Sequence, residues 1–524
     1  MEIIIKNGRI IDGSGNPWYI ANIGIDKGKI SYVGSALENA RKQIDARNFV
    51  VCPGFIDVHS HSDFVFLRDP FSSFKLMQGV TTEVIGNCGF SAAPAPRRKK
   101  FLQLYQDYIG QVSSPSSSSV DWTGMGRYLS RLKKGGMTDN LVTLVGHGNL
   151  RICAMGMDDR APTEKELSVM KGLLEESLEA GAKGMSTGLM YPPGFYSHVS
   201  ELIELARTVS KYGGIVTSHL RSYAAHLEES VQELIQVGKE AAVPVQISHI
   251  TAAQEPNWGK LGRIVEMIDE ARNDGVDITM DRYPYTAANT TLRSVLPPWM
   301  QEGGIDALLN RLRDPNSKRK CAEEMGDEYN WDTMYVNDCR VYQDLNGKSV
   351  AEIAKIWNKK IHETIFDLLL KEEGRPRIIF FIHSEEDMKT ALKHPAVMIG
   401  SDSGSGGPDS HPRTYGTFPR VLREMVIEQK LFSLEEAVRR MTSFPAQRFG
   451  LQDRGLIREG KAADIAVIDL PRVRDRSTYS DPCLQPEGIE YVIVNGELVV
   501  EKGKFLGKKA GQVLLRRKGG KRWE

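Results

Sequence analysis

The sequence predicts an α/β protein, a (β/α)8 TIM barrel carrying a small β-sandwich domain formed by both chain termini. Three observations support this. Eight short β-rich runs, FIDVHSH, VTTEVIGNCG, NLVTLVGHG, GAKGMSTGL, GGIVTSHLR, VPVQISHI, VDITMDRYPY and AVMIGSDS, alternate with longer amphipathic stretches. From Thr187 to His219 to His249 to Tyr283 the steps are 32, 30 and 34 residues, the length of one strand-helix unit each. Both chain ends have a different texture, short strands split by Asn-Gly and Lys-Gly turns.

The amino-terminal part, residues 1–52, reads as strands in EIIIKNGRIID, NIGIDKGKISYVG and QIDARNFVVCPG. The carboxy-terminal part, 451–524, repeats that texture in GKAADIAVIDL and IEYVIVNGELVVEKGKF. Each is too short to bury a sheet face alone, so the two must pair across the length of the chain. The barrel occupies 53–450. Two gaps interrupt its rhythm. SSPSSSSVDW, between the second and third strands, reads as a flexible surface loop. Between Tyr285 and Asp402 more than a hundred residues intervene, including LPPWMQEGGIDALLNRLRD, IHETIFDLLLKEEG and a ninth strand candidate, RIIFFIH. We expect an insertion over about 287–375 that caps the active-site face, with the ninth strand outside the barrel or at its margin.

Lys and Arg total 68 against 67 Asp and Glu, a net charge of +1, so there is no field of one sign to attract nucleic acid or a membrane surface. The basic end, KKAGQVLLRRKGGKR, reads as a solvated tail. Six scattered cysteines form no C-x-x-C pair, which suits a reducing compartment and makes the cytoplasm the expected location. MEIIIKNGRIIDGSG lacks the basic lead and cleavage site of a signal peptide, and no 18-residue apolar run occurs.

In a barrel of this kind the active site forms where the strands end at their carboxyl side. Ligand-type residues collect there. The first strand ends in His59 and His61, which share a face because side chains alternate along a strand. Cys88 ends the second strand, His219 the fifth, His249 the sixth and Asp402 the eighth. Taken singly, Cys88 reads as a small buried residue, the histidines as imidazoles bonded to backbone, and Asp402 as a helix cap. Taken together, six such groups crowded on one rim carry a desolvation cost that a metal ion removes. Four His, one Cys and one Asp suit Zn2+ better than Mg2+ or Ca2+. Zinc lowers the pKa of bound water from 15.7 toward ~7, and a nearby carboxylate can accept its proton and pass it to a leaving group. This is machinery for hydrolysis of an amide or related bond. His147 also ends a strand, with a site role and a structural role equally open. His198, His226, His362 and His394 fall in loops or helical stretches, and His383 ends the ninth strand candidate.

With these residues assembled, the chain resembles the D-aminoacylases (N-acyl-D-amino-acid deacylases) of the amidohydrolase superfamily. The motifs that carry the resemblance are PGFIDVHSHSD, GVTTEVIGNCGFSAAP, GMSTGLMYPPG, SHLR, VPVQISHI, DRYPYTA, IGSDSG, HPRTYGTFPRVL and GLIREGKAADIAVIDL, in that order and nearly end to end. The resemblance implies a metal-bearing barrel with a small β-sandwich. It implies one tightly bound zinc at Cys88, His219 and His249, with Cys88 able to bridge to a weaker second position at His59 and His61. Asp402 is implied as general acid/base and as a ligand at that second position. A small-molecule substrate with a free carboxylate is implied, bound by Arg413 and Tyr283, with Tyr191 and Arg221 as lesser candidates for the pocket wall. Arg suits a carboxylate because its planar fork bonds both oxygens, although a structural ion pair also accounts for Arg413 and Arg221. A homo-oligomer is compatible with all of this.

Two positions depart from the pattern. Thr251 stands where many D-aminoacylases have a substrate-binding lysine, and Ser403 replaces a glycine after Asp402. Neither touches the metal chemistry, but Thr251 leaves substrate identity open. A cyclic-amide hydrolase of the hydantoinase or dihydroorotase kind is the second reading. It usually needs a carboxylated lysine at the end of strand four, where this chain has GMSTGL and its nearest lysine, Lys183, lies toward the strand's start. A non-catalytic scaffold is the third, and it should have lost ligands that are all present here.

Overall fold

The structure is a computed structural model that describes residues 1–36, 39–113, 120–325 and 329–516. Eight parallel strands form the barrel: β1 (Phe55–Asp57), β2 (Val80–Ile85), β3 (Asn140–Thr143, continued by Val145–Gly146), β4 (Gly184–Gly188), β5 (Ile215–His219), β6 (Val245–Ile247), β7 (Ile278–Arg282) and β8 (Val397–Ile399). Pairing runs in sequence order from β1 to β8. All eight strands are buried throughout, which is why they read as unbroken β-rich runs rather than as alternating ones. Closure comes just beyond the strands. Ser60 bridges Ser403 in parallel, Asp402 N–H donates to the His59 carbonyl at 2.8 Å, and His61 N–H donates to the Ser403 carbonyl at 2.8 Å. The closing seam therefore sets His59 and His61 against Asp402.

Helices cover the outside. Helix Leu227–Ala241 buries Leu227, Val231, Leu234, Ile235 and Gly238, a helical period that turns one stripe to the barrel. Helix Glu164–Glu179 begins at a capping box in which Thr163 and Glu166 satisfy each other's backbone N–H. Both chain ends meet in one nine-stranded sheet. Ile465–Ile468 pairs antiparallel with Val50–Pro53, which in turn lies beside Ile3–Ile10. Isoleucines from both ends, among them Ile5, Ile23, Ile465 and Ile493, share its core.

The insertion is a body of its own. Strands Ala287–Thr291, Met334–Asn337 and Arg377–Phe381 make an antiparallel sheet, and its helices close over Leu292, Leu312, Ile353, Ile365 and Ile378. The ninth strand candidate is the middle strand of this sheet, so the insertion runs past residue 375 to Phe381.

One expectation is corrected. The basic end is not simply solvated: residues 508–516 lie along the barrel, where Leu141 N–H donates to the Gln512 carbonyl and Leu514 N–H to the Leu141 carbonyl. Arg516 Nη1 donates to the Tyr212 carbonyl at 2.7 Å. The apolar QVLL inside the basic run supplies the residues that pair. Of the Ser-rich run, 114–119 lies outside the described residues, as do 517–524 of the tail. Ser113 at the start of that run is buried, and its hydroxyl donates to the His61 carbonyl at 2.6 Å.

Candidate metal centre

The six ligand-type residues meet on the rim formed by the carboxyl ends of the strands. They form a linked chain. His61 Nε2 lies 3.2 Å from Asp402 Oδ1, and His59 Nε2 lies 3.4 Å from the same oxygen. His59 Nε2 is also 3.2 Å from Cys88 Sγ, which is 3.6 Å from His249 Nε2. His249 Nε2 is 2.9 Å from His219 Nδ1. His59, Cys88, His249 and Asp402 each offer one donor atom, all within 4.8 Å of one another.

The backbone is bent to achieve this. Cys88, His249 and Asp402 have φ of 54°, 35° and 50°, in the left-handed region that non-glycine residues seldom occupy. Such strain persists only where neighbours hold it. Here Asp281 Oδ1 accepts the His249 N–H at 2.8 Å, and the His59 carbonyl accepts the Asp402 N–H. Asp281 Oδ1 is also 3.2 Å from His59 Nδ1, while its Oδ2 accepts from Gln246 at 2.6 Å. With Nδ1–H given to Asp281, His59 presents Nε2 to Cys88 and Asp402. Beneath the seam, Asp57 Oδ1 accepts N–H bonds from His59 at 3.1 Å and Ser401 at 2.9 Å, and Lys75 neutralises it.

Electrostatics fit a cation. Burial pushes the Cys88 thiol up to about 11, so its proton leaves only beside positive charge. Burial drives His249 down to about 3 and His219 well below the usual range, which keeps both as neutral imidazoles. Burial opposes ionisation of Asp402, but Arg413 and His59 outweigh it and hold the carboxyl well below its ordinary value. His59 goes the other way: against its burial, Cys88, Asp281 and Asp402 hold it well above the usual histidine value. His219 Nε2 and His61 Nδ1 are buried without a hydrogen-bond partner. The neutral imidazoles of His61, His219 and His249, two of them with an unmet nitrogen, together with a thiol and a carboxylate match the donor preferences of zinc, and His59 joins them on giving up its proton to a cation.

The centre opens into a cavity of about 1240 Å3 between the barrel rim and the insertion. Arg413 Nη1 lies 2.9 Å from Asp402 Oδ2, and its Nε is buried without a partner. The Arg413 guanidinium lies 4.6 Å from the centre of the Tyr283 ring, and that of Arg282 lies 4.4 Å from it. Tyr191 faces His219, with ring centres 4.8 Å apart, and its hydroxyl is 3.3 Å from Thr290 Oγ1. Arg221 also lines the cavity, but its donors are occupied by Glu233 and the carbonyls of Phe195 and Ser197. His147 does not line it; Nε2 is 2.7 Å from Glu201, which Arg151 also pairs.

A family model described as "Amidohydrolase family" matches residues 42–500. The chain belongs to the amidohydrolase family. It is 34% identical over 498 residues to "N-acyl-D-glutamate deacylase" from Alcaligenes xylosoxydans xylosoxydans, covering 95% of this chain and 93% of that protein. It is 33% identical over 516 residues to "D-aminoacylase" from the same organism, covering 98% of each. Among solved structures, N-acyl-D-glutamate deacylase from Bordetella bronchiseptica, complexed with zinc and a phosphonate mimic of the tetrahedral intermediate, superposes with a TM-score of 0.83. That match has 33% identity and covers 98% of this chain and 100% of that one.

Four residues packed around the centre and its cavity carry no site assignment in the sequence reading of this amidohydrolase. Asp281 sits inside VDITMDRYPY, where a carboxylate two residues before Tyr283 at a barrel strand's end was the available signal. His383 lies beside Tyr283 and Thr251 although it follows a strand outside the barrel. Lys75 and Asp57 gave no signal, because a buried ion pair under a strand end has no sequence pattern. Lys183 immediately precedes β4, at the end of that strand away from the metal centre of the amidohydrolase.

Proposed function

We propose that this protein is a zinc-dependent hydrolase that removes the acyl group from N-acyl-D-amino acids, or cleaves D-residue dipeptides by the same steps. The observation that carries the proposal is the cluster of buried His59, Cys88 and His249 with half-buried Asp402 at the base of a cavity beside Arg413. We assign Cys88, His219 and His249 to the tighter zinc and His59 and His61 to a weaker position. Cys88 Sγ lies within 3.2 Å of His59 Nε2 and 3.6 Å of His249 Nε2, so one thiolate reaches both sets. Zinc bound there activates a water at neutral pH and polarises the substrate carbonyl.

The chain's own groups do the rest. Asp402, held ionised mainly by Arg413, takes a proton as the water oxygen bonds to the acyl carbon. It then returns that proton to the departing nitrogen as the C–N bond breaks, so acid and amine leave with atoms balanced. Arg413 and Tyr283 receive the substrate carboxylate, and Tyr191 shapes the wall beside His219. Arg221 serves as a wall residue whose charge Glu233 already matches.

The D preference follows the two curated relatives. Cyclic-amide hydrolysis stands second, because the bridging lysine it calls for has no counterpart at the end of β4. Among the described residues no helix is long and apolar enough to cross a membrane. The proposal adds a cytoplasmic location, consistent with six free cysteines, and no nucleic-acid partner, with a homo-oligomer left compatible. It also divides the chain into a terminal β domain of 1–52 with 451–507 and a catalytic barrel of 53–450, against which 508–516 pack. A screen of zinc-loaded enzyme against N-acyl-D-amino acids, their L-forms, D-dipeptides and hydantoins tests it. Turnover of D-acyl substrates supports it, and turnover of hydantoins alone overturns it.

A further inference from the structure

Thr251 and His383 form a link that the metal chemistry does not use. Thr251 lies two residues past His249, and His383 two residues past the insertion strand Arg377–Phe381. An antiparallel bridge between Ala253 and His383 joins the two segments, and His383 N–H donates to the Thr286 carbonyl at 3.1 Å. Thr251 Oγ1 is 2.7 Å from His383 Nδ1, and Tyr283 Oη is 3.3 Å from His383 Nε2. All three side chains are buried and all line the cavity.

We propose that His383 is the specificity-determining positioning residue of this site: an imidazole, held between Thr251 and Tyr283, that aims the Tyr283 hydroxyl at the substrate carboxylate. This rests on the deacylase reading for the identity of the substrate. A neutral imidazole carries one N–H and one lone pair. If Thr251 donates to Nδ1, then Nε2–H donates to Tyr283 and the Tyr283 proton is left for a ligand. In the opposite arrangement Tyr283 donates to Nε2, Nδ1–H donates to Thr251, and the Thr251 proton is left. One hydroxyl proton therefore always faces the cavity, and the imidazole decides which. An anion seated against Arg413, whose Nε is unpartnered, selects the first arrangement because Arg413 lies over Tyr283. Burial, with Arg282 next in effect, holds His383 well below the usual histidine value, so the imidazole contributes direction and no charge. A lysine at position 251 would contribute a second positive charge. With Thr251 and His383 in its place, this wall offers a carboxylate the Arg413 guanidinium and one directed hydroxyl.

The alternative is that His383 only anchors the insertion to the barrel. Calorimetric titration of zinc-loaded wild type, His383→Leu and His383→Gln with D-leucine and D-glutamate and their α-amides separates the two. A charge-assisted hydrogen bond predicts that wild type prefers the acids by about tenfold or more. His383→Leu should lose about tenfold of that preference with zinc content unchanged, and should raise KM more than it lowers kcat on N-acyl-D-amino acids. His383→Gln, with one donor and one acceptor of its own, should keep most of the preference. Equal weakening of acids and amides in His383→Leu overturns the relay, as does a wild type with no preference for the acids. A wild type that prefers the acids but hydrolyses no N-acyl-D-amino acid sinks the deacylase reading alone.

Discussion

The two sides of the cavity are made differently. The metal side is contributed by the barrel: five strand ends and the β1–β8 seam place His59, His61, Cys88, His219, His249 and Asp402 with their backbone fixed by neighbouring strands. The adjoining wall is shared between barrel loops and the insertion, where Thr251 and Tyr283 meet His383 from a separate sheet. Groups on the first side are held by strand pairing and by Asp57 and Asp281. Those on the second are held where two bodies meet, by the backbone bridge from Ala253 to His383 and by side-chain hydrogen bonds. On the proposed function the chemistry is built into the barrel and the choice of substrate into its junction with the insertion. Changes on the metal side should affect kcat or zinc content, and changes on the wall should affect KM and selectivity.

The largest effect expected is at Asp402. Asp402→Asn keeps the shape but removes the base, so kcat should fall by about 10²- to 10⁴-fold while bound zinc stays largely in place. Steady-state kinetics beside metal analysis read this directly, and an active Asp402→Asn enzyme would remove the proposed base. Cys88→Ala should follow, through metal content. The thiol touches both halves of the cluster, so both positions should weaken, and full zinc occupancy in the variant would return Cys88 to an ordinary core role. Asp281→Asn tests the support beneath them. It leaves the six ligand candidates in place but weakens the acceptor for His59 Nδ1 and the His249 N–H, so zinc affinity should drop by about 10- to 100-fold. Competition with a chelator measures that drop, and unchanged affinity would mean the strand ends hold the ligands unaided.

The metal side was legible in the sequence for the same reason that it is rigid. A residue at the end of a fully buried parallel strand has one place to go, so H-x-H after FIDV, NCG after VTTEVIG, and the histidines closing IVTSH and VQISH point to one rim once they are taken together. The wall was less legible. RIIFFIH gave a strand but not its partners, since an antiparallel sheet inside an insertion has no repeat to count. His383 therefore stayed unassigned although it lies 3.3 Å from Tyr283, a residue that had been singled out. Asp281 was hidden by its neighbours, one more polar residue in DRYPY. The tail is basic yet paired, because QVLL inside it supplies a short apolar segment that bonds to Leu141.

Arg413 lies between the two sides and should show it. Its guanidinium reaches Asp402 at 2.9 Å and lies over Tyr283, so Arg413→Ala should raise KM more for carboxylate substrates than for their amides and also lower kcat. The kcat component should be common to acids and amides, because it acts through Asp402 and not through the substrate's charge. Equal KM effects on acids and amides would confine Arg413 to holding Asp402.

Arg221 gives the smallest effect and the sharpest control. It lines the same cavity and carries the same charge as Arg413, so a reading from charge alone expects it to attract the carboxylate too. Its geometry says otherwise. Nε and Nη2 face Glu233 at 3.1 and 2.8 Å, and Nη1 and Nη2 donate to the Phe195 and Ser197 carbonyls at 2.6 and 3.0 Å. A guanidinium with its charge matched and its donors taken holds a loop and has little left for a ligand. Arg221→Met should therefore leave the ratio of kcat/KM for acids and amides within about twofold of wild type. The cost falls on stability, where loss of hydrogen bonds to a charged group removes about 1.5 to 3 kcal/mol and lowers Tm by a few degrees. A changed acid-to-amide ratio in this variant would mean that net charge over the cavity, and not the aimed donors of Arg413 and Tyr283, sets the preference for a carboxylate.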